Sequence, residues 1–507
     1  MSRWRQVVTE ATVDAAGAEA AGRPRAGLVL ERAAGEGCFE AAAGPLSGYR
    51  RTVTLAPAGT GRYRVRQVVD YAVSLPYFGW LFAFPLRRHL GRLAPPAGLP
   101  WWAPADRLDA RAAGALATLC ALSAVTGYLG SVLTQTITFA ADEFRAGPAA
   151  QGAALAAVRA DVLVTVALVA LADRRGRRRL LLACAALGCA LTALSGLAPS
   201  LAALAGAQVV ARSFVTASAL LLAIVAAEEM PAGGRAYAVS LLGMSAALGA
   251  GACVLLLPVA DRGPAAWRLV FAAALIGLPL VASAARRLPE SRRFGAPHAV
   301  APLAGHGGRF WLLAVSAFLF NAFFAPASQF QNEYLRTERG FSAGRISLFT
   351  VATGLPGGIG VVVGGRLAER GRRRVGAVAL VVGVACTVAV FRVAGWPLWA
   401  WSVAGSVVGA ATIPALGVYG PELFPTSLRG RANGAIGVLG RAGAVVGLVS
   451  AGALSAGPAG RLGPVMSLLA LGPLALALLV LTAYPETAHR ELEDLNPEDA
   501  PPAVPSA

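Results

Sequence analysis

Six acids in this chain stand in a pattern that occurs twice. Asp173 opens Asp173-Arg174-Arg175-Gly176-Arg177-Arg178-Arg179, and Glu369 opens the shorter echo Glu369-Arg370-Gly371-Arg372-Arg373-Arg374. Glu228 precedes Arg235 by seven residues, as Glu422 precedes Arg429. Pro289-Glu290-Ser291 returns as Pro485-Glu486-Thr487. The acids of the three pairs differ by 369 − 173 = 196, 422 − 228 = 194 and 486 − 290 = 196 residues. One such match arises by chance, but three in register require a duplication. The chemistry open to these residues is ion pairing. Exposed pairs contribute about 0 to 1 kcal/mol each, so several together bias a two-state equilibrium without locking it. Arginines alone would serve topology, whereas acids contribute little to it, so the repetition of Asp173, Glu228, Glu290, Glu369, Glu422 and Glu486 asks for another role.

A second class of charge lies inside long apolar runs, where it is costly and usually faces a cavity or a partner. Arg159, Asp161, Arg212 and Arg441 are of this kind, and Asp161 is the one acid interior to any predicted span. It is either a protonatable coupling group or a fixed counter-ion for Arg159 or Arg212. Asn321, Gln329, Gln331 and Asn332 add hydrogen-bonding groups that could line a substrate path.

The elements that must hold these residues are set by composition. Of 507 residues 56% are hydrophobic and 14% charged, with mean hydropathy +0.60. A helix crosses a bilayer core with about 20 apolar residues, and such runs predict spans at 113–140, 149–172, 180–198, 201–227, 237–259 and 267–285, then at 310–327, 341–367, 375–394, 398–419, 432–454 and 466–484. The net charge of +18 sits at the ends of these runs, as the positive-inside rule requires, and not as a basic stripe on a soluble fold, which argues against nucleic acid. The arginine-rich connections should face the cytoplasm, with both chain ends inside the cell membrane. Residues 1–17 show no signal-peptide core, so insertion falls to the first span. The six cysteines form no Cys-x-x-Cys pair and read as small buried hydrophobes.

Before the spans, side chains alternate over 49–55 and 63–71 around Ala56-Pro57-Ala58-Gly59-Thr60-Gly61, which predicts a β-hairpin. Residues 72–86 are apolar and aromatic, broken by Pro76 and Pro85 and followed by Arg87, Arg88 and His89. They predict an in-plane membrane segment, with a thirteenth crossing as the alternative. The organisation expected is an N-terminal extension, α+β or β-rich and cytoplasmic, over 1–111; a six-helix half over 112–286; a cytoplasmic linker over 287–309; a second six-helix half over 310–485; and a tail over 486–507.

The acid-Arg-Gly-Arg-Arg connections and the stretch from Tyr419 to Arg431, Tyr-Gly-Pro-Glu-Leu-Phe-Pro-Thr-Ser-Leu-Arg-Gly-Arg, resemble the major facilitator superfamily, and within it the sugar-porter branch. The resemblance covers roughly 113–495. It departs from the family pattern at Val169, where a glycine is usual, and in the residue missing between Arg370 and Gly371. It implies an all-α membrane fold of twelve helices and a cytoplasmic gating network of Asp173, Arg177, Glu228, Arg235, Glu290, Glu369, Arg372, Glu422, Arg429 and Glu486. Arg159, Asp161, Arg212, Asn321, Gln329 and Arg441 become candidates for coupling or for the substrate cavity. The first predicted span holds no acid, which argues against the family's usual proton symport, and the seventh lacks the paired glutamines of sugar binders. The function expected is a secondary active or facilitative transporter of a small polar or anionic metabolite, acting as a monomer in the bilayer without cofactor or metal and without enzymatic activity. Two alternatives stand beside it. One is a drug or metabolite efflux proton antiporter. The other is a membrane-anchored sensor, since the N-terminal hairpin is similar to part of the helix-grip fold of polyketide-cyclase-like lipid-binding domains.

Overall fold

The computed structural model describes residues 4–73, 75–93, 98–100, 102–104, 106–231, 234–290, 305–368, 370–456, 461–488 and 495–496. Within these, the side chains at 170, 173, 174, 227, 235, 236, 421, 426, 427, 429 and 430 are outside the description.

The alternation at the N-terminus builds more than the predicted hairpin. Five strands, β1 (Trp4–Asp14), β2 (Leu30–Gly35), β3 (Cys38–Ala43), β4 (Leu46–Pro57) and β5 (Arg62–Val73), form one antiparallel sheet in the order β1-β5-β4-β3-β2. The expected hairpin is β4 and β5, with Leu55 opposite Val65 and Pro57 opposite Tyr63. Tyr49, Arg51 and Val53 on β4 and Val65, Gln67, Val69 and Tyr71 on β5 point to the covered face, as a period of two requires. A short helix α1 (Ala15–Ala21), capped by Asp14 at the Gly17 amide (2.8 Å), buries Ala18 and Ala21. Inside, the Arg51–Glu31 ion pair is wholly buried, and Tyr49 and the Arg25 amide donate to the same carboxylate. Every oxygen of that acid is hydrogen-bonded, which is the condition on which a buried charge is tolerated.

The segment 72–86 is neither purely in-plane nor a crossing. β5 continues through Val73, the chain turns at Tyr77 (φ 65°), and helix α2 (Ala83–Leu90) is eight residues long, about 12 Å and far short of a bilayer core. Leu86 and Leu90 face the sheet and pack with Val7, Val69 and Tyr71. Trp80 and Phe84, each 73% exposed, point away from it.

Twelve helices among the described residues are long and apolar enough to cross a membrane: Ala110–Glu143, Pro148–Val169, Arg177–Ser195, Leu201–Ala226, Tyr237–Arg262 and Arg268–Ala285 in the first half, and Gly307–Glu338, Ala343–Ala368, Arg372–Val390, Trp396–Leu416, Arg431–Ser455 and Leu462–Ala483 in the second. Eleven follow the sequence expectation within a few residues. The seventh is the exception, since it passes Pro326 and continues through a π-helical turn at Tyr334–Glu338. Small residues let the spans approach closely. A Cβ on Gly249 of the fifth span would stand 1.8 Å from the Ala124 carbonyl of the first, and one on Gly447 of the eleventh 2.1 Å from the Ala322 carbonyl of the seventh. The same pair of helices is thus sealed in the same way in each half. Cys120, Cys184, Cys189, Cys253 and Cys386 are buried and free.

The two ends of the chain meet the bundle on one side. Tyr77 donates to Ser283 (2.8 Å) and Arg111 to the Glu290 carbonyl (3.2 Å), while Asn496 donates to the Glu422 carbonyl (2.7 Å). This is the end that carries the arginine-rich connections.

Candidate functional site

At the arginine-rich end the duplication becomes a duplicated piece of geometry. Gly176 and Gly371 precede the third and ninth spans with φ of 99° and 157°, values that favour glycine. The helix that starts there leaves its first amides without intrahelical partners. In the first half the Glu290 carboxylate accepts from the Arg178 amide (3.0 Å); in the second, Glu486 accepts from the amides of Arg372 (3.0 Å) and Arg373 (3.3 Å). A carboxylate at a helix N-terminus also faces the positive end of the macrodipole. The side chain of the first arginine then reaches sideways, Arg177 to Glu228 and Arg372 to Glu422. Arg372 also donates to Thr487 Oγ1 (2.9 Å).

These contacts join helices of one half, not the two halves to each other. The sequence expectation of an inner gate therefore takes a more specific form: within each half, acids from the ends of helices four and six, or ten and twelve, pin helix three or nine. Glu369 lies outside the described residues, as do the side chains of Asp173, Arg235 and Arg429, so four members of the expected network have no described position.

Among the described residues, a set of polar contacts between the halves lies at the opposite end. Asn332 of the seventh span donates to Gln135 Oε1 of the first (3.0 Å), and Gln151 of the second donates to Glu333 Oε2 (2.9 Å). Arg336 pairs with Asp142 and lies over the Phe139 ring. Asp261, ending the fifth span, accepts from the Ala343 (2.7 Å) and Gly344 (2.8 Å) amides that open the eighth. Gly152 and Gly452 bring spans two and eleven together there, with a Cβ on Gly152 only 2.6 Å from the Leu448 carbonyl. Sequence reasoning missed Glu333, because the seventh span was drawn to end at 327. Asp161 is thus not the only acid within a span. The overlooked signal is the run Gln329-Phe330-Gln331-Asn332-Glu333, polar enough to pass for a loop yet helical because partners from the first half satisfy it.

Between these two ends lies a charged cluster. Arg159 stands eleven residues into the 22-residue second span, Arg212 eleven into the 26-residue fourth and Arg441 ten into the 25-residue eleventh, so all three are near mid-membrane. Asp161, 3% exposed, accepts from Thr216 (2.7 Å), and Arg212 donates to the Gly130 carbonyl (2.7 Å). Arg159 and Arg212 each interact electrostatically with both Asp161 and Arg441. Asp161 attracts Arg159 and Arg212, while Arg441, from the second half, repels both, so these four residues carry an excess of two positive charges. Asn321 donates to its own Ala317 carbonyl (2.8 Å) and lies against Gly440, next to Arg441. Gln329 lies eight residues further along the seventh span; its Oε1 is buried and finds no hydrogen-bond partner among the described residues. No group of three His, Cys, Asp or Glu that could hold a metal ion occurs among the described residues.

Residues 310–505 match the model of the Major Facilitator Superfamily. No curated protein is similar in sequence. Among solved structures, the inward-open xylose transporter XylE from E. coli superposes with a TM-score of 0.62 at 16% identity, over 76% of this chain and 98% of that one. A point mutant of the nucleoside transporter NupG gives 0.60 at 12%, over 73% and 100%. A bacterial homolog of the human lysosomal transporter Spinster, inward-facing and unoccupied, gives 0.58 at 16%, over 78% and 99%.

Proposed function

We propose that this chain, a multi-pass membrane protein with the fold of the major facilitator superfamily across its twelve spans and that family's sequence pattern through its C-terminal half, transports a small anionic or polar metabolite by alternating access. The observation that carries the substrate class is the excess of positive charge at mid-span, where Arg159 and Arg212 interact with Asp161 and with Arg441. Two uncompensated positive charges at mid-membrane are costly when empty and are relieved by an anion. Arg441 comes from the half opposite the other three, so an anion there draws the halves together, and its release frees them. That is the differential interaction a ligand needs to shift a conformational equilibrium. The inward-facing state of similar structures accords with the described polar contacts between the halves at the end away from the arginine-rich connections. On this reading that arginine-rich end is cytoplasmic, and the paired networks around Glu290 and Glu486 hold each half rigid while it rocks.

The test is uptake into proteoliposomes from a panel of labelled organic anions and neutral sugars, with wild type and Arg441→Ala side by side. An anion is expected to be taken up, and the substitution to lower its rate at least tenfold. Uptake of neutral sugars that anions fail to inhibit, at a rate Arg441→Ala leaves unchanged, would refute the proposal.

A further inference from the structure

Where the N-terminal sheet meets the bundle there are two adjoining cavities of opposite character. The first, about 150 Å³, has an almost wholly apolar lining: Leu46 and Val73 from the sheet, Leu116 and Ala117 from the first span, Leu241 and Leu248 from the fifth. A chamber with such walls favours apolar guests. Ala117 is seven residues into its span and Leu248 eleven into its own, so at 1.5 Å per residue this cavity reaches roughly 10 to 16 Å into the bilayer. The second cavity, about 550 Å³, shares Leu99 and Trp102 with the first and presents Arg88, His89 and Arg92. No acid is among its described lining residues. Asp106 stands on the wall of the first cavity beside Arg107, whose guanidinium is already engaged by the Gly27 carbonyl (2.8 Å). The second cavity carries positive charge that nothing on its walls offsets. Burial, then the charges of Arg92 and Arg25, hold the His89 imidazole below its ordinary pKa, as such a field should.

We infer that this junction binds one anionic phospholipid of the adjacent leaflet, with an acyl chain in the apolar cavity and the headgroup phosphate on Arg88 and Arg92. The chemistry is that of the ligand itself: an apolar chamber at hydrocarbon depth opens beside a cationic chamber at headgroup depth. Exposed Trp80, just before α2, and Phe84, in its first turn, are of the kind that anchors at the membrane interface. Arginines at that level are drawn to the negative charge of anionic lipid. The lipid would fill the gap between the sheet and the first and fifth spans, and so fix the N-terminal domain to the half that carries Arg159 and Asp161. This inference is independent of what the carrier transports.

The experiment uses the full-length protein purified in detergent, with phosphatidylglycerol, phosphatidylcholine of the same acyl composition, and inorganic phosphate as probes. Phosphatidylglycerol is expected to raise the melting temperature by about 3 °C more than phosphatidylcholine. Ala117→Phe, which fills the apolar cavity, and the double variant Arg88→Glu/Arg92→Glu, which reverses the headgroup site, should each abolish that difference. Equal shifts from the two lipids would reduce the effect to bulk solvation and overturn the inference. The same shift from inorganic phosphate alone would overturn it too, since the site would then be one for a free anion. Should the variants fail to fold, phosphatidylglycerol with brominated acyl chains decides: quenching of the Trp102 fluorescence, isolated by comparison with Trp102→Phe, supports the site, and its absence refutes it.

Discussion

Glu486 shows what a single acid of the repeated signatures does. Burial raises its pKa, but the amides of Arg372, Ala488 and Arg373 and the charge of Arg373 outweigh that and leave it below the usual carboxylate value. A carboxylate whose pKa is depressed in the folded state adds stability above its unfolded pKa and loses it as pH falls through the folded value. Glu486→Gln keeps an acceptor but not the charge. The variant should melt below wild type at pH 7, and the gap should close as pH falls through and below the ordinary carboxylate range; thermal unfolding followed by intrinsic fluorescence across that range measures it. A gap that stays constant with pH would mean the charge does not act as the cap. At this scale the sequence located the charged residues, and the structure supplied partners for those it describes. Their spacing within the chain is a local property, but whether Glu422 reaches Arg372 or an arginine of the other half depends on helix positions that no local pattern encodes.

At the scale of elements, glycine decides how closely the spans of each half pack. The fifth span holds Gly243, Gly249 and Gly251. The structure separates them: a Cβ on Gly249 would meet the Ala124 carbonyl and Tyr128 amide, whereas one on Gly243 or Gly251 would meet nothing within 4 Å. Overpacking a close contact costs about 1 to 3 kcal/mol, so Gly249→Leu should lower the melting temperature of the purified protein by several degrees and Gly243→Leu should hardly change it. Comparable losses for both would refute the packing role. The span boundaries were legible because apolar length is a one-dimensional quantity. The seventh was not, since its polar continuation past Pro326 is stabilised by Gln135, Gln151 and Asp142 of the other half.

At the scale of the whole molecule, described polar contacts join the two halves at one end. Asp142 with Arg336, and Asp261 with the amides of Ala343 and Gly344, are two such contacts at one end. Each is partly exposed and worth on the order of 1 kcal/mol or less, about a fivefold shift in a two-state equilibrium per kcal/mol. The double variant Asp142→Ala/Asp261→Ala should therefore populate the state open at that end several-fold more. Modification of a cysteine introduced at Gly344, at the helix end that Asp261 caps, would report it by reacting faster with an impermeant reagent. An unchanged rate would show that other contacts hold this end shut.

Twelve spans, their duplication, the family resemblance and the hairpin of the N-terminal domain could all be read along the chain before any fold was known. Each of these rests on periodicity, apolar length or recurrence, all of which can be counted in one dimension. The remaining features emerged only from the folded chain. Folding turned the charged signatures into helix caps and pairs inside each half, made the alternating N-terminal stretch a five-stranded sheet closed over a buried Arg51–Glu31 pair, and brought Arg159, Arg212 and Arg441 from three helices within electrostatic reach of one another. The reason is that electrostatic and packing energies depend on distances between residues tens to hundreds of positions apart, and those distances exist only once the two halves have folded and met.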